Sequence, residues 1–258
     1  MTATLHAEWT KLRTSTGTYW LLLAAIALTI GLGGFVDAGA SCGSPGCNQD
    51  PARISLSGVY LGQILVAISG VTIIGAEYGT GMIRTTLTAM PKRTAVLAAK
   101  AVVAAGAALG AGVAGVIGSA LVGQLILPSK GFTPANGYSS LSLSDPGMLR
   151  AAFGSVLYLV LIALLSLGIS TAVRDSAVGI GGVLGLLFVF PIVLVMVSDP
   201  DWHRHLQQIA PMSAGLGIQA TVDLGSLPLS PWAGLGVLGL WAAGALILGA
   251  LVLQLRDA

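Results

Sequence analysis

Six apolar runs, each about as long as a bilayer is thick, alternate with short polar loops along this chain. A crossing helix needs roughly 20 mainly apolar residues, because each residue adds ~1.5 Å to a hydrocarbon core ~30 Å deep. In lipid every backbone polar group must find its partner within the protein, so runs of this length can only be helices. The pattern predicts an all-α membrane protein with six transmembrane helices, at about 19–36, 58–76, 94–127, 149–173, 177–197 and 232–255, in one domain over 1–258.

Composition excludes the soluble alternative. The chain is 55% hydrophobic and 9% charged, with a mean hydropathy of +0.88. A water-soluble domain carries about 25% charged residues, and fewer than that cannot cover a wet surface of this size. The net charge of +2 is too small to point to nucleic acid. Residues Glu8, Lys11 and Arg13 precede the first run, which reads as a retained signal-anchor helix rather than a cleaved signal peptide.

The basic residues set the expected orientation. With the N-terminus inside, Lys11, Arg13, Arg84, Lys92, Arg93, Lys100, Arg174 and Arg256 are cytoplasmic, and Arg53, Lys130, Arg150 and Arg204 are outside. Eight against four follows the positive-inside rule and places both termini in the cytoplasm. Lys100, near the start of the third run, is expected to project into water. Asp37 is expected to open the first outer loop.

Glycine rows Gly106/Gly110, continued by Ala114 and Gly118, and Gly181/Gly185 are candidates for close helix packing. The outer loop holds Cys42 and Cys47, close enough for a small disulfide ring or two free thiols. The segment Asp199–Ile209 reads as a short interfacial helix with Trp202, Leu206 and Ile209 on one face. His203 and His205, two residues apart, would point away from each other on it, so no metal is expected.

The spans carry no ionisable residue at depth on this reading. Ion-coupled carriers usually place one there, so the driving energy should come from elsewhere. The Ser and Thr residues within spans are expected to bond back to their own helix or across to a neighbour, and a substrate role for Gln63 or Gln124 is the lesser alternative. No phosphate loop, zinc-protease motif or nucleophile elbow occurs, so the chain is not expected to be an enzyme or to hold a cofactor.

The most informative polar segment runs from Glu77 to Arg93. Gly79 and Gly81 permit a sharp exit from the second span. Thr80 is placed to cap a following helix, Met82, Ile83 and Leu87 give that helix an apolar side, and Pro91 stops it. Read from residues alone, this is either a docking element for a cytosolic partner or an ordinary loop with snorkelling cations.

Several segments together resemble the bacterial ABC-2-type ABC transporter permeases. They are Ala7-Glu8-Trp9-Thr10-Lys11-Leu12-Arg13, Glu77-Tyr78-Gly79-Thr80-Gly81-Met82-Ile83-Arg84-Thr85-Thr86-Leu87 with Pro91-Lys92-Arg93 and Ala99-Lys100, Pro211-Met212-Ser213-Ala214-Gly215, and Trp232-Ala233-Gly234 with Trp241-Ala242 and Arg256-Asp257-Ala258. The resemblance implies the transmembrane subunit of an exporter in the bacterial cytoplasmic membrane. It further implies a second permease half, identical or homologous, and two cytosolic ATPase subunits that hydrolyse ATP. Carried over, Glu77, Tyr78, Thr80, Met82, Ile83, Arg84 and Leu87 form a cytoplasmic coupling helix. Glu77 orients it, Met82, Ile83 and Leu87 seat in an ATPase groove, and Arg84 pairs with an acidic site there. Trp9, Lys11 and Arg13 lie on an interface helix, and Pro211, Ser213 and Gly215 belong to an outer gate, re-entrant around 211–217. The alternative is a secondary carrier or another polytopic membrane protein without an ATPase partner.

Overall fold

A computed structural model describes residues 2–255 except 43–46, 48, 90–91, 134–135, 137, 139–141 and 143. The described residues form helices and connections, with no strand among them. A short helix α1 (Thr2–Thr14) precedes α2 (Thr16–Gly39). Helix α3 (Pro51–Ser55) runs through one tight turn into α4 (Val59–Gly79), followed by α5 (Met82–Ala89) and α6 (Arg93–Ile126). Helices α7 (Pro146–Val173) and α8 (Ser176–Met196) lead to two short pieces, α9 (Pro200–Ile209) and α10 (Pro211–Leu216), and then to α11 (Pro231–Leu255). Six of these segments are long and apolar enough to cross a membrane: α2, α3–α4, α6 with the turn after it, α7, α8 and α11.

The helix starts follow from local chemistry. Asp50, Asp145 and Asp199 each stand before a proline in the first turn, and each carboxylate accepts two of the backbone N–H groups that a helix start leaves unpaired. Asp175 does the same for α8 through the Val178 N–H at 2.8 Å. Arg174, left-handed at φ 63°, makes the reversal between α7 and α8.

Helix α7 is the centre of the bundle. Its Tyr158, Ile162 and Leu165 have no exposed surface, and it packs against α4, α6 and α11. Two backbone approaches set the helix spacing. A Cβ on Gly249 of α11 would stand 2.8 Å from the Gly168 carbonyl oxygen of α7, and one on Gly58 would fall 1.8 Å from the Thr29 oxygen of α2. Only glycine allows such contact, and dispersion between close backbones replaces the hydrophobic drive that lipid does not supply. Of the expected rows, a Cβ on Gly106, Gly110, Gly181 or Gly185 would meet nothing within 4 Å, whereas one on Gly118 would stand 2.4 Å from Ile30 Cδ1 of α2.

Other expectations also change. Asp37 does not open a loop; it lies within α2 with no exposed surface. Lys100 does not project into water but is wholly buried. The spans therefore do carry buried ionisable groups. Hydropathy averaged over a window registers one charge among twenty apolar residues as noise, which is why these were invisible in sequence. Cys42 is buried against Leu127, Phe132 and Tyr138. The Pro91 helix stop and the Arg256-Asp257-Ala258 ending lie outside the described residues.

Candidate functional site

One end of the bundle holds α1, α5, the α7–α8 turn and the last turns of α11. Arg93 Nη1 donates to the Leu253 carbonyl at 2.8 Å, and Arg174 Nη2 to that of Val252 at 2.9 Å. At this end four charged side chains from three helices close a ring. Lys100 of α6 donates to Glu8 Oε2 of α1 at 2.8 Å and to Glu77 Oε1 of α4 at 2.6 Å. Lys11 of α1 donates to Glu8 Oε1 at 3.0 Å and to the same Glu77 oxygen at 2.7 Å. Two cations and two carboxylates cancel, which is the condition for burying charge at all. Glu8 and Glu77 are each 5% exposed, and Lys100 not at all.

The ring fastens α1 to α4 and α6 by charge-assisted hydrogen bonds. Lys11 is its wet corner, with 40% of its side chain exposed. Burial would lower its ammonium pKa, but the hydrogen bonds to Glu77 and Glu8 outweigh that and hold it above the ordinary lysine value. The Glu77 Oε2 atom is buried without a partner among the described residues, and Glu77, with Glu8 and Lys11, lines a small cavity of about 290 Å³.

Helix α5 begins five residues after Glu77. Gly81, at φ 72°, makes the corner. Thr80 does not cap α5; it ends α4, its hydroxyl donating to the Ala76 carbonyl at 2.8 Å. Ile83 is buried and Leu87 packs on a cluster of Ile74, Leu97, Leu167 and Leu253, so both face the bundle. The outward face of α5 carries Met82, Arg84, Thr85 and Thr88. The shared apolar seat expected of Met82, Ile83 and Leu87 is therefore divided in this conformation, with Met82 alone outward. Tyr78 is half-buried against the same cluster. Trp9 and Arg13, one turn apart on α1, are exposed.

The remaining candidates lie at the opposite end. Pro211 and Gly215 are buried and Ser213 half-buried on α10, which packs among α7, α8 and α11. Met212 Sδ accepts from Gln63 Nε2 at 3.5 Å, and a Cβ on Gly215 would meet the Tyr158 ring at 2.7 Å. Tyr158 OH donates to Gln63 Oε1, and Gln63 Nε2 also donates to the Tyr60 carbonyl at 3.0 Å. Gln63 is thus a fully used joint between α4, α7 and α10. Helix α9 is present, with Trp202 and Ile209 exposed on it. No group of three metal-ligating side chains occurs among the described residues.

Sequence reasoning singled out Lys11 and Glu77 but not the ring, and it missed Glu8 and Lys100 as its other members. The available signal was compositional: so few charges occur near the spans that each one needed a counter-ion. No protein-family model matches the chain, and no curated protein matches it.

Proposed function

We propose that this chain is the permease subunit of an ATP-driven exporter, of the ABC-2 type that its motifs resemble. In this reading the end bearing the charged ring faces the cytoplasm, and both termini lie there. Two cytosolic ATPase subunits dock on that end, and a second permease half completes the passage. The observation that carries the reading is the ring itself. It joins α1 and the helices flanking α5 into one body, so a push on α5 reaches α1, α4 and α6 together. The outward face of α5, with Met82 and Arg84 exposed, is basic and partly apolar, and Trp9 and Arg13 of α1 are exposed as well. That chemistry suits an acidic-rimmed groove. The ATPase supplies the energy, and this chain supplies the moving passage.

The test is co-purification with the ATPase of Met82→Asp combined with Arg84→Glu. Both side chains are exposed, so the fold survives. Loss of binding and of permease-stimulated ATP hydrolysis is expected. Full retention of both removes α5 from the interface.

A secondary carrier is the second reading, and Asp37 favours it. Its two carboxylate oxygens, in the last turn of α2, are buried with no partner among the described residues, and a buried unpaired carboxylate is the kind of group that holds a coupling ion. Solute uptake by the chain alone in sealed vesicles, driven by an ion gradient, would decide for it.

A further inference from the structure

At the end opposite the ring, α2, α3, α4, α8, α9, α10 and the loop at 226–229 line an open cavity of about 710 Å³. That is the size of a site for a small organic molecule. Its walls are largely apolar, from Leu32, Tyr60, Pro191 and Leu227, with Gln207 and Ser213 among the polar exceptions. Met212, which accepts from Gln63, also lines it.

One charge stands on its wall. Arg53, exposed on α3, makes no side-chain hydrogen bond or ion pair among the described residues. Its nearest acid in sequence, Asp50, is already committed. Asp50 caps α3 and accepts from Thr221 N and Oγ1 and from Val222 N across the loop. Asp50 and Asp223 line the adjoining cleft with Arg53, not this cavity. The cavity therefore presents apolar walls and a single cation with no acceptor.

We propose that this cavity binds an amphiphile with an anionic head, carboxylate, sulfate or phosphate, whose head pairs with Arg53 and whose tail lies against Leu32, Tyr60 and Leu227. Arg favours such heads because its planar fork meets two oxygens at once. The permease reading is needed only to call this ligand cargo leaving the protein. A lipid of the outer leaflet and an exported amphiphile share the chemistry, and the binding is the same for both.

The experiment uses the full chain in nanodiscs, without ATPase. A photoreactive alkyl carboxylate and its matched alcohol are titrated, and the labelled peptides are mapped. The carboxylate should label the Leu32, Tyr60 and Leu227 regions saturably, with half-saturation about tenfold lower than the alcohol, the worth of one charge-assisted pair. Arg53→Gln should bring the two probes level, Arg53→Lys should keep most of the preference, and Leu227→Trp should block labelling by both. Equal half-saturation in the unaltered chain, an unchanged preference in Arg53→Gln, or no saturable labelling overturns the proposal. Vesicle transport with ATPase then separates the sources: unlabelled carboxylate that competes but is never moved is a bound lipid-like ligand, and one that is moved is cargo. Binding that persists while no ATPase docks leaves this site standing and removes the permease reading alone.

Discussion

The Lys100 ammonium lies 2.6 Å from Glu77 Oε1, with the lysine side chain entirely shielded from solvent. Glu8 reaches the same ammonium at 2.8 Å, so the buried cation sits between two carboxylates. Replacing Lys100 with Met strands two carboxylates on one remaining cation. Removing one partner of a buried pair typically costs about 3–5 kcal/mol, mostly as the penalty of the orphaned charge. Lys100→Met should lower thermal stability sharply in detergent, whereas Lys100→Met with Glu77→Gln, which leaves Lys11 paired to Glu8, should recover much of the loss. A double variant no better than the single one would mean that the ring is not what fastens α1.

The same ring predicts a pH dependence with a definite sign. The Lys11 pKa is raised on folding, its hydrogen bonds to Glu77 and Glu8 outweighing the opposing effect of burial. A raised lysine contributes stability that is complete below its unfolded value, near 10.5, and lost as pH climbs through the higher folded value. Docking of α1 should therefore hold steady from neutral pH to about 10 and weaken above it. Trp9, exposed on α1, is a fluorescent reporter of that release. Lys11→Met should flatten the high-pH limb attributable to this residue; an unaltered profile would assign the transition to another group.

The Gly168–Gly249 approach gives a packing prediction. A side chain on Gly249 has no room, because the Gly168 carbonyl would lie 2.8 Å from its Cβ. Gly249→Val should force α7 and α11 apart at about 1–3 kcal/mol. Gly181→Ala, where nothing stands within 4 Å, should be neutral or slightly stabilising within the chain, since Ala is the better helix former. Paired thermal melts of the two variants check this, and equal destabilisation would contradict it.

These glycines show where sequence stops informing. A spacing of four marks one helix face, but not which face meets a neighbour. Gly106 and Gly110 satisfy the pattern and face outward, while Gly58 and Gly249 sit against foreign backbone without belonging to the rows picked out. The six spans were legible because bilayer thickness sets a length that any apolar run must match. The helix expected from about 149 begins at Pro146 instead, because Asp145 caps its first turn. The ring was not legible. Glu8 and Lys100 are 92 positions apart, and no periodicity links them. The segment from Glu77 to Leu87 was singled out by its glycines and its apolar spacing, yet which of its apolar side chains turn inward depends on the neighbouring helices, and Ile83 turned in.

The Tyr158–Gln63 bond predicts an asymmetry between two conservative changes. Both groups are buried, and Tyr158 OH donates to Gln63 Oε1. Tyr158→Phe leaves that amide oxygen without its donor, at a cost of about 1–3 kcal/mol. Tyr158→Phe combined with Gln63→Leu removes both polar groups and should cost less than Tyr158→Phe alone, read as recovered melting temperature. A double variant worse than the single would indicate that Gln63 serves α10 through Met212 more than it serves Tyr158.

Helix α5 separates folding from docking residue by residue. Ile83 is 4% exposed and Met82 is 47% exposed, although they are adjacent in sequence. Ile83→Asp buries an unpaired carboxylate against the bundle and should destabilise the chain itself, detectable without any partner. Met82→Asp places the same charge in water and should leave the melting temperature within about 0.5 kcal/mol of the unaltered chain. If α5 is a docking element, Met82→Asp nevertheless lowers ATPase co-purification, and Arg84→Glu lowers it further by reversing the charge offered to an acidic groove. A Met82→Asp chain that folds and binds the ATPase normally would assign α5 a purely structural role at the end of α4.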